Sequence, residues 1–479
     1  MRRFAVRLFE DGSWVQLAGT LILLIVLEVQ PVPLPFVDAH REAILAAQNG
    51  DHAAAALAYH RAFAYAPWRT DLLSEAARAE LLAGDSEAVL RDLDALQAAR
   101  PLTPEEHLLR GHASAALGDL VAARGEWQIA VDAGVADAEA YLQLIEWHLA
   151  SEEWDVAAQL LSQLADRNPS DASARYRLGL VLALQDPAAA RSHLEIATDL
   201  ESELGNQVAL LVDLLEKQSS YDPAFFRAQL GIIYLELEEW PLAEAAFAQA
   251  IAFNPAYGDA MAYLGYARAQ RGQLHTALPA FQQAAALSPE SPVVHYLTGL
   301  YWQQAHSWPE ARAALERAYD LDPGNPGLAV EIANTHRAEN QPLWAEIWLL
   351  EAVRLAGDDD RFQVALAQFY VDDEYRVDTA GLAAARKAVE DAPNNGAAHE
   401  ALGWAYFLLG DLDAAQEELE QALILDPSLA RAYFHMGTLL ELQSQHAAAI
   451  EAYQTAVRLE PEGAFGVRAQ RALVRLGAG

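Results

Sequence analysis

The 479-residue chain contains no cysteine. Disulfides, thiolate zinc sites and cysteine nucleophiles are thereby excluded, although this absence alone does not select a compartment. Lysine is almost missing as well: Lys217 and Lys387 stand against 30 arginines, and these 32 basic residues face 68 acidic ones, for a net charge of −36. Such a surface repels phosphate and lacks the basic footprint that nucleic-acid backbones require, so nucleic acid is not an expected partner. A basic protein partner suits the charge, and so does the plainer role of keeping a long array soluble. Arginine in place of lysine, beside abundant alanine, suggests a bacterial genome rich in G and C.

Reaction chemistry is also missing. His399-Glu400 begins a zinc-protease pattern, but Gly403 occupies the place of the second histidine. Phosphate-cradling loops, hydrolase nucleophile elbows and dinucleotide fingerprints are absent. His107 and His112 are five apart and do not share a helix face. The run Asp358-Asp359-Asp360 lacks the alternating ligand spacing of a calcium loop and reads as a solvated turn. Most of the 14 histidines sit singly on amphipathic helices, in surface or core roles. The chain is not expected to be an enzyme, and no catalytic residue, cofactor or metal ligand is assigned.

What is present is a period of 34 residues. Ala43, Ala77, Gly111, Ile145 and Gly179 share one slot, continued by Gly231, Gly265, Gly299 and Ala333, then by Gly403 and Gly437. Twelve residues after it comes alanine (Ala123, Ala243, Ala277, Ala311, Ala415); sixteen after it comes an aromatic or leucine (Trp127, Phe247, Phe281, Leu315, Leu419). Twenty-four after it comes proline, as at Pro255, Pro289, Pro323 and Pro427. Apolar residues three and four apart mark one buried face on each of two helices. The small slot lets their backbones approach, so that Gly265 faces Ala277, and the aromatic fills the space alongside. Glycines at Gly50, Gly84, Gly118, Gly272 and Gly410 mark the turn within a unit. The proline cannot continue the second helix and ends the unit.

These slots resemble those of the tetratricopeptide repeat (TPR) family, over residues 36–463. The resemblance implies an all-α fold: a right-handed α-solenoid of about twelve helix-turn-helix repeats. Two breaks in register divide it. From Gly179 to Gly231 there are 52 residues, and the excess carries Val208, Leu210, Leu211, Leu214 and Leu215 at helical spacing. This predicts a first block of five repeats over 36–202, an inserted helix or linker over 203–222, and a second block of seven over 223–463. The second break lies between Ala333 and Gly403. There Phe369 stands where a small residue is expected, Gly381 stands where alanine is expected, and the turn Asp372-Asp373-Glu374 is unusually acidic. After Pro461 a stripe of Phe465, Ala469, Ala472, Leu473 and Leu476 predicts a capping helix over 464–479.

Residues 1–35 form an arm. Arg2, Arg3 and Arg7 precede an apolar run from Trp14 to Leu27, closed by Glu28 and followed by Pro31, Pro33 and Pro35. A helix over 12–27 would be roughly 24 Å long at about 1.5 Å per residue, short of a hydrocarbon core of about 30 Å. The run is read as an N-terminal transmembrane helix, with a cleaved signal peptide and an interfacial segment as alternatives. No pair of small residues directly follows it, which favours retention. The arginines place the N-terminus in the cytoplasm and the repeat array outside the cytoplasmic membrane. A cleaved chain would instead be secreted or periplasmic.

In the resembled family the first helices of successive repeats line a concave groove that binds protein segments. The matching slots here hold Tyr176, Tyr266, Tyr296, Asn334, Arg337, Trp404, Phe407 and Phe434. Aromatics are common binding anchors, but in these slots they also pack between repeats. Family members that clamp a carboxyl terminus repeat lysine, asparagine and arginine along the groove. Only Asn334 and Arg337 resemble that set, so an apolar or mixed peptide is expected instead. The leading expectation is a membrane-tethered scaffold that binds protein partners at the bacterial cell envelope, membrane-embedded ones among the candidates. The alternatives are an assembly or regulatory factor for an envelope polymer or appendage, and a glycan-binding solenoid with groove aromatics as stacking platforms.

Overall fold

The computed structural model describes residues 34–135, 137–201 and 204–478, the side chains of 204–207 excepted. Among them lie 26 α-helices, a short 3-10 turn at Gln218–Ser220, a π turn at Val377–Gly381, and no strand. The helices come in consecutive pairs. In the pair Gly258–Gln270 and Leu274–Leu287, the buried faces are Ala260, Leu264 and Ala267 on one helix and Ala277, Phe281 and Ala284 on the other. Leu287 is the last helical residue, with Pro289 two residues beyond it.

The small slot is smaller than helix proximity alone demands. A β-carbon on Gly265 would lie 3.1 Å from the Phe281 ring, and one on Gly231 would lie 2.7 Å from the Phe247 ring. Gly437 against Tyr453 repeats the arrangement at 2.7 Å, and Gly111 against Trp127 does so more tightly still. The glycine is therefore the seat of the residue sixteen positions on. Where the slot holds Ala333, its counterpart is Leu349, a narrower side chain, and both are buried.

Turns within pairs share a second rule. The residue seven after the small slot is left-handed in Gly50, Gly84, Gly118, Gly272 and Gly410, and equally in Glu152, Glu238, His306, Asn340 and Ser444. The next residue often caps the second helix. Asp51, Asp85, Asp119 and Asp411 each accept a hydrogen bond from the backbone N–H three residues on, a contact worth about 0.5–2 kcal/mol per helix. Part of the acidic surplus thus serves local helix chemistry rather than a partner.

The chain divides into two compact units, Met1–Val212 and Asp213–Gly479. Described residues of the first unit include five helix pairs, from Leu34–Gln48 to Pro187–Leu200. The division falls within the helix Leu204–Glu216, where Val208, Leu211, Leu214 and Leu215 are buried but Leu210 is exposed. Seven further pairs run from Pro223–Glu236 to His446–Leu459, followed by the helix Ala464–Arg475, which buries Ala469, Ala472 and Leu473. Within the second unit, first helices of successive pairs touch one another. Gly258–Gln270 meets Pro292–Gln304, Arg361–Asp372 meets Gly396–Leu409, and the latter meets Ala430–Leu442.

The expected single-pass topology is corrected here. Among the described residues no helix is long and apolar enough to cross a membrane. The longest have 15 residues, or about 22 Å against a core of about 30 Å. The run Trp14–Leu27 lies outside the described residues. The transmembrane helix, the cytoplasmic N-terminus, the extracytoplasmic array and its secreted or periplasmic alternative are accordingly not carried forward.

Candidate functional site

The groove candidates sit on first helices, and Tyr176 on Ala172–Ala183 is the one in the first unit. It is half-buried, as are the seven in the second unit. These seven fall into two groups with different surroundings.

Tyr266 and Tyr296 stand on adjacent first helices near Glu331 of the next, Pro326–Ala338. Burial raises both hydroxyls above the usual tyrosine range, Tyr296 to about 12, and the negative charge of Glu331 adds to the effect. Glu331 accepts a hydrogen bond from the Gln303 amide at 3.1 Å, and no ion pair to it occurs among the described residues. Tyr296 also lines a cleft with Pro292, Val293, Asp322, Asn325 and Leu328. Asn334 lies on the same helix as Glu331, half-exposed.

The second group is held more tightly. Trp404 stacks on Phe407 at 4.4 Å (interplanar angle 8°) and on His435 at 3.8 Å (5°). Two rings parallel to one indole at these distances cannot share a face, so both faces of Trp404 are covered. Phe434 packs among His435, Tyr453 and Phe465, all within 5.8 Å. Arg337 makes a two-pronged pair with Asp373, at 3.0 and 2.7 Å, and lies over the Phe369 ring.

Beneath these rings runs a polar network that the repeat pattern does not announce. Arg431 binds both oxygens of Asp372, at 3.0 and 2.6 Å, and its Nε lies 2.7 Å from Glu400. Glu400 is fully buried and faces His435 Nδ1 at 2.5 Å. Burial by itself would raise the Glu400 carboxyl; Arg431 and His435 more than reverse this, so it stays ionised. His435 is lowered, chiefly by burial, and is therefore neutral near pH 7, with Nδ1–H donating to the carboxylate. Arg337, Arg431, Asp372, Asp373 and Glu400 together carry two positive and three negative charges. The network is thus net negative, and its guanidiniums are already engaged. A carboxylate ligand would gain little from them.

The acidic turn Asp372-Asp373-Glu374, legible in the sequence only as a break, supplies this network. Its helix is followed by the π turn Val377–Gly381, after Glu374 and Arg376 in left-handed conformation. Arg376 and the Tyr370 hydroxyl both bind Glu346 of the preceding repeat, at 2.7 and 2.6 Å. Histidine and aspartate patterns singled out earlier have local partners. His399 faces Glu418 at 2.7 Å and the Pro393 carbonyl at 3.0 Å, so it and Glu400 serve different neighbours. His107 faces Glu126, His112 faces Asp137, and Asp359 pairs with Arg361. One cluster of metal-ligand type occurs among the described residues, His60, Glu80 and Asp92. It lies in the first unit and was not marked by the sequence reading.

Residues 142–203, 229–292, 267–326, 379–429 and 401–464 match the tetratricopeptide repeat family model, which together is a little over half of the chain. The chain belongs to the tetratricopeptide repeat family. Such TPR proteins are in general scaffolds for protein contacts rather than enzymes. The anaphase-promoting complex subunit CDC16 of Saccharomyces cerevisiae is 24% identical over 217 residues, 44% of this chain and 26% of that protein. The TPR chain thus spans about a quarter of the length of this curated relative. Among solved structures, yeast Tom70 is similar at 16% identity, covering 92% of this chain and 95% of that one with a TM-score of 0.43. The Cut9–Hcn1 hetero-tetramer of the APC/C is similar at 17%, 98%, 96% and 0.40. A TPR protein of Parabacteroides merdae is similar at 14%, 54%, 99% and 0.44.

Proposed function

We propose that this TPR protein is a scaffold that holds an extended partner segment of mixed apolar and basic character against the first helices of its second unit. The observation that carries this reading is the Tyr266–Tyr296–Glu331 surface. Two half-exposed phenols border a carboxylate with no cation beside it, next to a cleft at Tyr296. Phenol rings offer contact area at low entropic cost, and an unpaired carboxylate favours lysine or arginine on the partner. Asn334 adds an amide able to meet a peptide backbone. The net-negative network around Arg431 and the overall charge of −36 favour the same partner chemistry. Trp404, Phe407, Phe434 and Arg337 support the groove wall, since their faces and donors are taken up within it.

The glycan reading loses Trp404 as a platform, because a sugar needs a free aromatic face and both faces of that indole are covered. The envelope-polymer reading rested on the anchored topology corrected above, and nothing else favours it.

The test is photo-crosslinking in cells. A benzoylphenylalanine at Tyr296 is expected to give discrete protein adducts, whereas one at Ile424, exposed on a second helix, is not. Equal labelling from both positions, or none from Tyr296, would sink the proposal.

A further inference from the structure

His60, Glu80 and Asp92 come from three successive helices, His52–Tyr65, Asp71–Ala83 and Ser86–Ala99, and converge on one point in the first unit. His60 Nε2 lies 2.8 Å from Glu80 Oε1 and 3.2 Å from Asp92 Oδ2. One ring nitrogen thus faces two carboxylates, yet it can donate only one proton. Its hydrogen bond goes to Glu80. Glu80 Oε2 and Asp92 Oδ2 are then left buried with no hydrogen-bond partner, in a cluster whose ligand atoms all lie within 4.8 Å of one another. Glu80 itself is 6% exposed. An orphaned carboxylate oxygen at that depth costs about 1–3 kcal/mol, and more when charged, unless something meets it.

We propose that His60, Glu80 and Asp92 form a site for a divalent transition-metal ion, with Zn²⁺ the best-suited probe. The cation takes the place of the shared proton and binds imidazole nitrogen and both carboxylates at once. One nitrogen and two carboxylate donors suit Zn²⁺, Mn²⁺ or Co²⁺, whereas Mg²⁺ and Ca²⁺ prefer sites made of oxygen alone. The His60 side chain is 35% exposed, so the ion has a path from solvent and keeps an outward position for water. The ligands span two repeats, so the ion staples the first helix pair to the second. The convergence of three such residues occurs at one point among the described residues. The slot of Asp92, fifteen residues after Ala77, holds Ala246, Ala280 and Ala452 in some repeats and Glu126 and Glu418 in two others, where each faces a single histidine.

The experiment is calorimetric titration of metal-stripped full-length protein with Zn²⁺ alone, with Mg²⁺ as control. One tight equivalent of Zn²⁺ is expected. His60→Gln and Asp92→Asn should each weaken it by at least about a hundredfold, since even outer-sphere partners of a metal typically cost 10–100-fold. His446→Gln, at an exposed histidine elsewhere, should leave it unchanged. His60→Gln retains an amide that can donate to Glu80 and so preserves the fold, which circular dichroism checks. Co²⁺ added to the unmodified protein supplies a second measurement that needs no variant: its visible spectrum should depart from that of the aqueous ion. Zn²⁺ affinity indifferent to both substitutions, Mg²⁺ binding as tightly as Zn²⁺, or an unchanged Co²⁺ spectrum would each overturn the proposal and leave a proton-sharing cluster.

Discussion

The repeat 258–287 and the repeat 361–391 solve one problem by opposite means. In the first, Gly265 seats Phe281 and alanines line both helices, so the pair closes by shape. In the second, Ala367 keeps the small slot and Phe369 is buried two residues on, the second helix is shortened to Leu382–Asp391, and a π turn intervenes. Closure there depends on charge. Glu346 holds Tyr370 and Arg376, while Asp372 and Asp373 hold Arg431 and Arg337. Shape closure is local and repeats. Charge closure in the second repeat draws on partners 24 to 59 residues away, and a regular repeat adds such a pair where Arg268 meets Glu244.

The largest effect is expected from breaking the charge closure at its deepest point. Arg431→Met leaves Glu400 buried with no cation, only the His435 N–H, and should cost about 3–5 kcal/mol in chemical denaturation of the second unit. Asp373→Ala removes only an exposed pair and should cost less than about 1 kcal/mol. Equal losses from the two would erase the distinction between buried and superficial closure.

Shape closure is tested next. Gly231→Ala drives a β-carbon to 2.7 Å from the Phe247 ring and should cost about 1–3 kcal/mol by overpacking. Adding Phe247→Leu recreates the combination of Ala333 with Leu349 and should recover part of that loss. A double variant no better than the single would show that the ring is not what the glycine accommodates.

An intermediate case combines charge with shape. Glu106 completes the capping box of Pro104–Ala116 and is gripped at both oxygens by Arg100, at 2.8 and 2.6 Å. Burial opposes its ionisation, but Arg100 and the Thr103 N–H prevail and hold the carboxyl at about 2. A carboxyl depressed by folding contributes stability above its unfolded value, near 4.5, and loses it as pH falls toward about 2. The acid transition of the first unit should therefore flatten between those limits in Glu106→Gln. An unaltered acid limb would remove Glu106 from the account.

The smallest effect concerns turns. Ser444 is left-handed where other repeats carry glycine, and Ser444→Gly should raise stability by about 0.5–1 kcal/mol, whereas Gly410→Ser should lower it. Gains of that size are read from denaturation midpoints.

Helix pairs were legible because every unit restates the same slots, and the 52-residue interval from Gly179 to Gly231 drew attention to the stretch that forms Leu204–Glu216. Turn conformation was half legible. Glycine betrayed Gly272, whereas Glu238 and His306 adopt the same backbone without any compositional sign. Groove residues could be placed by slot but not by state. What covers Trp404 is His435, one repeat further on, and what engages Arg337 is Asp373. Such pairings depend on which side chains reach across, and period alone does not encode reach. The acidic turn was visible as a departure, but its basic partners, Arg337 and Arg431, lie in two other repeats. Asp92 could have been noticed, since its slot holds buried alanine in three other repeats, at Ala246, Ala280 and Ala452.

Repeat arrays ordinarily fray from their ends, because each unit leans only on the next. Here Arg431 of the final helix pair reaches past the pair containing Glu400 to grasp Asp372. The last three pairs are laced together rather than merely stacked. Unzipping from the carboxyl end should therefore release some hundred residues in a single cooperative step, and a protease should meet either an intact terminus or none.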